Sequence, residues 1–367
     1  MRSVAVFTDT YRPTVNGVTY TVKAWRDCWA DRGSRMDVVY PRTDGYAPRA
    51  GEYPVRSLPF PFYPGFRLGV PWIPRRVRDV DIVHAHTPFA VGLAGLRLAR
   101  RTDSPFVASY HTPTAEYADY VASGDGVGAL VERMSERYER WFLDHADAVL
   151  APSDATATHL TDEVGVSTPV TVVPNGIDTA RFRPVDAAAF RARHGLDDAD
   201  TLMGYTGRHG YEKRLGDFVD AAADLDATVV FGGDGPAREE LERRASERGV
   251  DARFLGFLDR EELPAFYSAL DTFVFPSPVE TQGLVALEAN ACGTPVVGAN
   301  DGALADTVED GVTGYHFETG DVESLREAIR WTLAERDDLR TSCLDRREQH
   351  GVGRAVDRLA DVYDRVS

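Results

Sequence analysis

The sequence predicts an α/β protein built from two doubly wound units in series. Strand-like apolar runs alternate with helical patterns twice over, the signature of such units. The alternation breaks once, at Pro174-Asn175-Gly176-Ile177-Asp178, and charged, Ala-rich sequence then runs to His194. A length of 367 residues exceeds one typical domain and suits two.

In the first unit the expected strands are Val4 to Thr8, Met36 to Tyr40, Ile82 to Ala85, Phe106 to Tyr110, Ala148 to Ala151 and Val170 to Val173. The second restarts with Leu202 to Thr206. It continues through Thr228 to Phe231, Arg253 to Leu255, Thr272 to Phe275 and Val296 to Gly298, and a last helix covers Gly353 to Val366. The domains are accordingly placed at 1–178 and 179–350, with 351–367 as a terminal helical segment.

A net charge of -17 argues against a nucleic-acid binder, because phosphate contacts need a basic face. Acidity of this size keeps a surface solvated and fits a high-salt cytoplasm. Cys28, Cys292 and Cys343 lie far apart without CxxC spacing, which suggests reduced thiols and an intracellular setting. The apolar run at Val4 is too short for a signal peptide, and no run of about 18 apolar residues suggests a spanning helix.

Between Thr281 and Asn300 the only charged residue is Glu288, set within the apolar stretch from Gly283 to Gly293. A buried carboxylate is costly unless hydrogen-bonded, so this acid should hold something. Glu280 stands eight residues upstream, in the loop after the Thr272–Phe275 run. Strand, polar loop and helix in that order place both acids near the carboxyl end of a strand, where ligands of open α/β sheets bind.

The turn Gly207-Arg208-His209-Gly210-Tyr211-Glu212-Lys213 follows a strand and opens a helix, so its backbone amides favour an anion. Lys23 and Lys213 are the only lysines beside 39 arginines, and a compact ammonium suits a phosphate. Phe231-Gly232-Gly233-Asp234-Gly235-Pro236 lies at the next strand end, where glycine permits close backbone approach. Gly256-Phe257-Leu258-Asp259 follows the strand after that.

The Glu-x7-Glu arrangement, closed by Gly293-Thr294-Pro295-Val296-Val297, resembles the nucleotide-sugar site of the retaining glycosyltransferases of family 4. That resemblance covers nearly the whole chain. It implies the GT-B fold, with two Rossmann-like doubly wound domains facing across a cleft and the terminal helix returning to brace the first. It implies that Arg208 and Lys213 neutralise the donor diphosphate, that Gly233 faces the nucleotide, and that Leu258 holds the base through its backbone. Glu288 is implied to bind the donor ribose, a carboxylate accepting two hydrogen bonds from a diol. Glu280, with the backbone amides of Thr281, Gln282, Gly283 and Leu284, is implied to hold the transferred sugar. The donor is expected to be a UDP-sugar rather than a GDP-sugar, with no cofactor and no metal.

In the first unit, the loop Asp9 to Val18 is implied to approach the diphosphate through Gly17. Asn16-Gly17-Val18 stands there in place of the common Gly-Gly-Val, and Asn is tolerated in tight turns. His111, in Ser109-Tyr110-His111-Thr112-Pro113, matches the family's active-site histidine, and an imidazole there can bond the sugar or acceptor. His84-Ala85-His86 puts two residues on one strand face, but no third ligand suggests a metal, and packing with acceptor-cleft lining is the reading. His111, Arg208, Lys213 and Glu280 are thus the expected catalytic residues.

A patchier similarity is to the diacylglycerol glucosyltransferases, carried by Pro59-Phe60-Pro61-Phe62-Tyr63, Arg67-Leu68-Gly69, His84 to Phe89, Tyr110-His111-Thr112, Glu116 to Tyr120 and Glu280 to Gly283. It implies a membrane glycerolipid acceptor, although Thr114-Ala115 and Asp119 depart from that subgroup's pattern. From 54 to 78 the chain has five arginines, no acid, and Phe60, Phe62, Tyr63, Phe66 and Trp72. This segment reads either as an interfacial patch for anionic lipid at the inner membrane face or as a Pro-rich loop whose aromatics fill a core. Other functions weighed are transfer to a soluble sugar or growing glycan, and non-catalytic binding of a nucleotide sugar. A dinucleotide dehydrogenase would need GxGxxG where Phe7 to Pro13 stands.

Overall fold

The structure, a computed structural model, describes residues 2–60, 67–111 and 125–367. Two compact units share the chain: residues 1–176 with 352–367, and residues 177–351. These divisions lie two residues before and one residue after the boundaries expected from sequence.

Unit 1 contains β1 (Val4–Phe7), β2 (Met36–Pro41), β3 (Glu52–Val55), β4 (Ser57–Pro59), β5 (Arg67–Gly69), β6 (Ile82–Ala85), β7 (Phe106–Ser109), β8 (Ala148–Ala151) and β9 (Val170–Val172). Seven strands form a sheet in the order β3-β2-β1-β6-β7-β8-β9, all pairings being parallel. β4 and β5 pair separately as an antiparallel hairpin. Val4 and Val6 enter one core with Trp25 and Trp29, while Ala5 and Phe7 enter the other with Val39 and Val83. Both faces of the sheet are therefore covered, which is why its strands read as unbroken apolar runs.

The helix Gly17–Asp31 starts at Asn16, whose side chain accepts a hydrogen bond from the Thr19 amide at 2.8 Å. Asn16 is extended, with φ at -160°. Its place before Gly17 is explained by helix capping rather than by the tight turn expected from sequence. The last helix, Val352–Val366, buries Val356, Leu359, Val362 and Tyr363 in the core containing Trp25 and Trp29. Spacings of three and four residues put those side chains on one face.

Unit 2 contains β10 (Leu202–Thr206), β11 (Thr228–Gly232), β12 (Ala252–Gly256), β13 (Thr272–Phe275), β14 (Val296–Ala299) and β15 (Gly314–Phe317). They form one sheet in the order β12-β11-β10-β13-β14-β15. Strand order reverses between β10 and β13, so the crevice at their carboxyl ends is the switch point where α/β sheets bind ligands.

β3, β15 and the β4–β5 hairpin are not among the strands expected from sequence. β3 contains Glu52 and Pro54 within four residues, which breaks the apolar run. The buried Glu52 carboxylate is held by Arg26 at 2.6 Å, Tyr11 at 3.2 Å and Tyr46 at 2.9 Å. Phe62, Tyr63, Phe66, Thr112, Thr114, Ala115 and Glu116 to Tyr120 lie outside the described residues.

Candidate active site

In unit 2, three turns at strand ends are joined into one wall by backbone hydrogen bonds. The Gly207 amide donates to the Gly232 carbonyl at 3.1 Å, His209 to Asp234 at 2.9 Å, and Gly233 to Gly256 at 2.6 Å. Gly233 has φ at +101°, and a Cβ there would lie 2.0 Å from the Gly207 carbonyl oxygen. Only glycine fits so close an approach. His209 is fully buried, with Nε2 3.2 Å from the Gly232 carbonyl. That contact requires the proton on Nε2 and couples the Arg208 turn to the glycine-rich turn. His209 carries no signal of this role in the sequence, since a histidine between Arg and Gly gives no periodic or charge pattern.

Lys213 ends the short 3-10 turn Tyr211–Lys213. Its Nζ lies 2.7 Å from Glu280 Oε1 and 3.3 Å from the Val279 carbonyl. The turn after β10 and the loop after β13 thus meet at the switch point. Arg208, at the start of the same turn, is exposed and pairs with Glu212 at 2.6 Å.

Thr281, Gln282, Gly283 and Leu284 carry the chain from Glu280 into the helix Leu284–Ala291. Gly283 caps that helix with φ at +74°, and a Cβ would lie 2.6 Å from Leu304 Cδ2. Thr307 Oγ1 donates to the Gln282 carbonyl at 2.5 Å, fixing the loop from the other side.

Glu288 lies one turn into this helix and is 4% exposed. One oxygen accepts from Tyr267 at 3.0 Å, and the other is 3.2 Å from Arg260. Burial pushes its pKa up against the opposing pull of Arg260 and Tyr267. Leu258 is buried beside the exposed Phe257, and Arg260 follows two residues later with its guanidinium 5.1 Å from the Phe182 ring centre. Neither Arg260 nor Tyr267 was singled out from sequence: Arg260 sits in the charged run Asp259 to Glu262, and Tyr267 reads as a core aromatic.

In unit 1, β1, β6 and β7 end side by side. Asp9, just past β1, is buried and accepts from the amides of Val91 at 2.9 Å and Gly92 at 3.2 Å, and from Thr87 Oγ1 at 2.7 Å. Desolvation lifts its pKa to about 6. His111, just past β7, is partly exposed, with Nε2 2.8 Å from His86 Nδ1 and the two rings stacked. His84 is fully buried between Tyr363 at 2.7 Å and Ser109 at 2.8 Å. Burial lowers all three imidazoles, His84 to about 3 and His111 to about 4, so they are neutral near pH 7. Gly17 is exposed as the first residue of its helix.

Among the described residues, no three His, Cys, Asp or Glu come together as a metal-holding group, and no helix is long and apolar enough to cross a membrane.

Family models cover both units. Glycosyltransferase Family 4 matches residues 15–181, and Glycosyl transferases group 1 matches residues 186–349. The chain is 29% identical over 351 residues to the alpha-monoglucosyldiacylglycerol synthase of Streptococcus pneumoniae, covering 89% of this chain and 78% of that one. It is 30% identical over 272 residues to the 2-deoxystreptamine glucosyltransferase of Streptomyces kanamyceticus, covering 71% and 70%. In fold it is similar to Anabaena HepE, solved in complex with UDP, with TM-score 0.78, 19% identity and 99% of each chain covered. The chain belongs to the glycosyltransferases of group 1 and family 4, with two Rossmann-like domains of the GT-B kind.

Proposed function

We propose that the protein is a metal-independent, retaining hexosyltransferase that moves sugar from a nucleoside-diphosphate sugar to a hydroxyl of a membrane glycerolipid. The observation that carries the donor half is the 2.7 Å contact between Lys213 and Glu280. It brings the ammonium assigned to the diphosphate against the carboxylate assigned to the sugar, which is where a sugar–phosphate bond must lie to be broken. Arg208 and Lys213 stabilise the departing diphosphate electrostatically, and these two cations perform the task that a divalent metal would otherwise perform. Glu288 is assigned to the ribose, Leu258 to the base and His111 to the sugar or acceptor. UDP is favoured because HepE, similar in fold, was solved with it.

The lipid acceptor is supported by the activity that the pneumococcal relative's name states and by the described residues of the 54–78 segment. Leu58 is 68% exposed and Trp72 61%, and Arg75 and Arg76 are also exposed. Exposed apolar side chains and exposed arginines in one acid-free segment, in a chain of net charge -17, suit an anionic lipid surface. Binding there would be peripheral, at the inner face of the cell membrane. The relative named as a 2-deoxystreptamine glucosyltransferase favours a second reading, transfer to a soluble polyhydroxylated acceptor such as a sugar.

Incubating the purified protein with a panel of UDP- and GDP-sugars, with total polar lipid or soluble sugars as acceptor, tests the proposal. Glycolipid product supports it, product on soluble acceptors alone supports the second reading, and no turnover of any donor leaves only nucleotide-sugar binding.

A further inference from the structure

The carboxylate of Glu288 is clamped from two sides. Tyr267 Oη donates to one oxygen at 3.0 Å, and Arg260 stands 3.2 Å from the other. Arg260 is itself fixed, its guanidinium 5.1 Å from the ring centre of Phe182, which is fully buried. A cation over an aromatic face is held electrostatically, more strongly where water is excluded. Each carboxylate oxygen has two acceptor sites, so one bond to each leaves a second lone pair on both oxygens, and their direction is set by the clamp.

Arg260 also lies two residues past Leu258, on the loop that leads from the base-binding turn toward the helix carrying Tyr267. It therefore connects the turn assigned to the base with the carboxylate assigned to the ribose. We infer that Arg260, seated on Phe182, is a positioning residue that aims Glu288 at a ribose diol and makes the site discriminate ribose from deoxyribose nucleotides. This rests on the assignment of Glu288 to the donor ribose.

The groups acting on Glu288 are Arg260 and Tyr267, with Arg181 at longer range. Cys292, one turn further along the helix, feels Glu288 together with Arg347 and Arg340. Burial favours the protonated acid, and the Arg260 cation is the strongest opposing influence. Removing it leaves a carboxylate that takes up a proton at higher pH and then offers one acceptor fewer to the diol.

Binding of UDP, 2'-deoxy-UDP and 3'-deoxy-UDP, and of the corresponding guanosine set, is measured by titration calorimetry on the full chain between pH 6 and 8. The proteins compared are wild type, Arg260→Gln, Arg260→Lys and Glu288→Gln, each checked for an unchanged melting profile. The wild type is expected to favour the ribonucleotide about tenfold or more over at least one deoxy form, as a bond to a charged acceptor implies, with little change over this pH range. In Arg260→Gln the preference should fall below about threefold and weaken further toward pH 6, whereas Arg260→Lys, which keeps the charge, should restore most of it. A wild-type preference at every pH in Arg260→Gln, alongside its loss in Glu288→Gln, overturns this inference and leaves the ribose assignment standing. An unchanged preference in Glu288→Gln, or no binding of either diphosphate by the wild type, removes the ribose assignment itself. Should Arg260→Gln fail to fold, Arg260→Met, which removes the charge and keeps an apolar stem against Phe182, takes its place, and a wild-type preference in it overturns the inference.

Discussion

Lys213 Nζ meets Glu280 Oε1 at 2.7 Å, joining the turn after β10 to the loop after β13 at the point where strand order reverses. Both side chains are mostly shielded from solvent, at 15% and 17% exposure. A pair so placed gains more from charge than a solvated surface pair does. The ammonium is held in position without a ligand, so little reorganisation would be needed for the diphosphate assigned to it.

Gly233→Ala should damage the donor site as a unit. The new Cβ would sit 2.0 Å from the Gly207 carbonyl oxygen at a φ of +101°, forcing apart the turns that carry Arg208 and the glycine-rich segment. Calorimetric titration with UDP should show binding weakened at least about tenfold, a displacement worth roughly 1.4 kcal/mol or more. Retained affinity would mean that these turns do not contact the nucleotide.

Stability should fall as pH is lowered from about 6.5. His84 and His86 are buried and neutral, with pKa values depressed by desolvation, so between the folded and unfolded pKa values the unfolded chain binds more protons. Each such group removes roughly 1.4 kcal/mol per pH unit below 6.5 until its folded pKa is reached. Asp9, raised to about 6, acts in the opposite sense: its stabilising contribution is complete at low pH and is lost as pH rises through 6. Three depressed imidazoles, His84, His86 and His111, against the raised carboxyls of Asp9 and Glu288 leave a net loss on acidification. Urea midpoints at pH 7.5 and 5.5 check this, and His84→Gln should narrow the difference between them.

The doubly wound pattern was legible because both faces of each central strand are covered, and such strands have few polar positions, such as Asp37 and His84, to blur them. β3 was not, because Glu52 and Pro54 interrupt it and only the distant Arg26, Tyr11 and Tyr46 make that acid tolerable. In the site, Glu288 was conspicuous as a lone charge in an apolar helix. Its partners Arg260 and Tyr267 were not, since one sits among like neighbours in a charged loop and the other is an aromatic in a core. His86 was expected to line a cleft or pack; its hydrogen bond to His111 depends on β6 and β7 being adjacent, which no local pattern encodes.

Chelation should leave the enzyme active, because Arg208 and Lys213 are assigned the diphosphate charge. Rates measured with and without excess EDTA should agree within about twofold, far less than the 100-fold typical of losing one transition-state charge contact. Activity lost to EDTA and restored by a divalent ion contradicts the metal-independent mechanism.

The hairpin of β4 and β5 with its following segment should bind membranes. Co-sedimentation with vesicles containing anionic lipid should exceed that with neutral vesicles and decline as salt rises, since exposed charges are screened over about 10 Å at 0.1 M. Replacing Arg75, Arg76 and Arg78 with Gln should weaken that binding, and Leu58→Ser with Trp72→Ser should weaken what remains at high salt. Vesicle binding unchanged in both variants removes this surface as a support for the lipid acceptor.

The Lys213 turn is assigned the departing diphosphate. On the donor and acceptor identified by the panel, kcat of Lys213→Ala is compared with wild type, with the melting temperature as a control for folding. A fall of about 100- to 1000-fold, or roughly 3 to 4 kcal/mol of lost transition-state stabilisation, is the predicted result, and Arg208→Ala should behave alike. A folded Lys213→Ala protein turning over at the wild-type rate would take the diphosphate away from this turn.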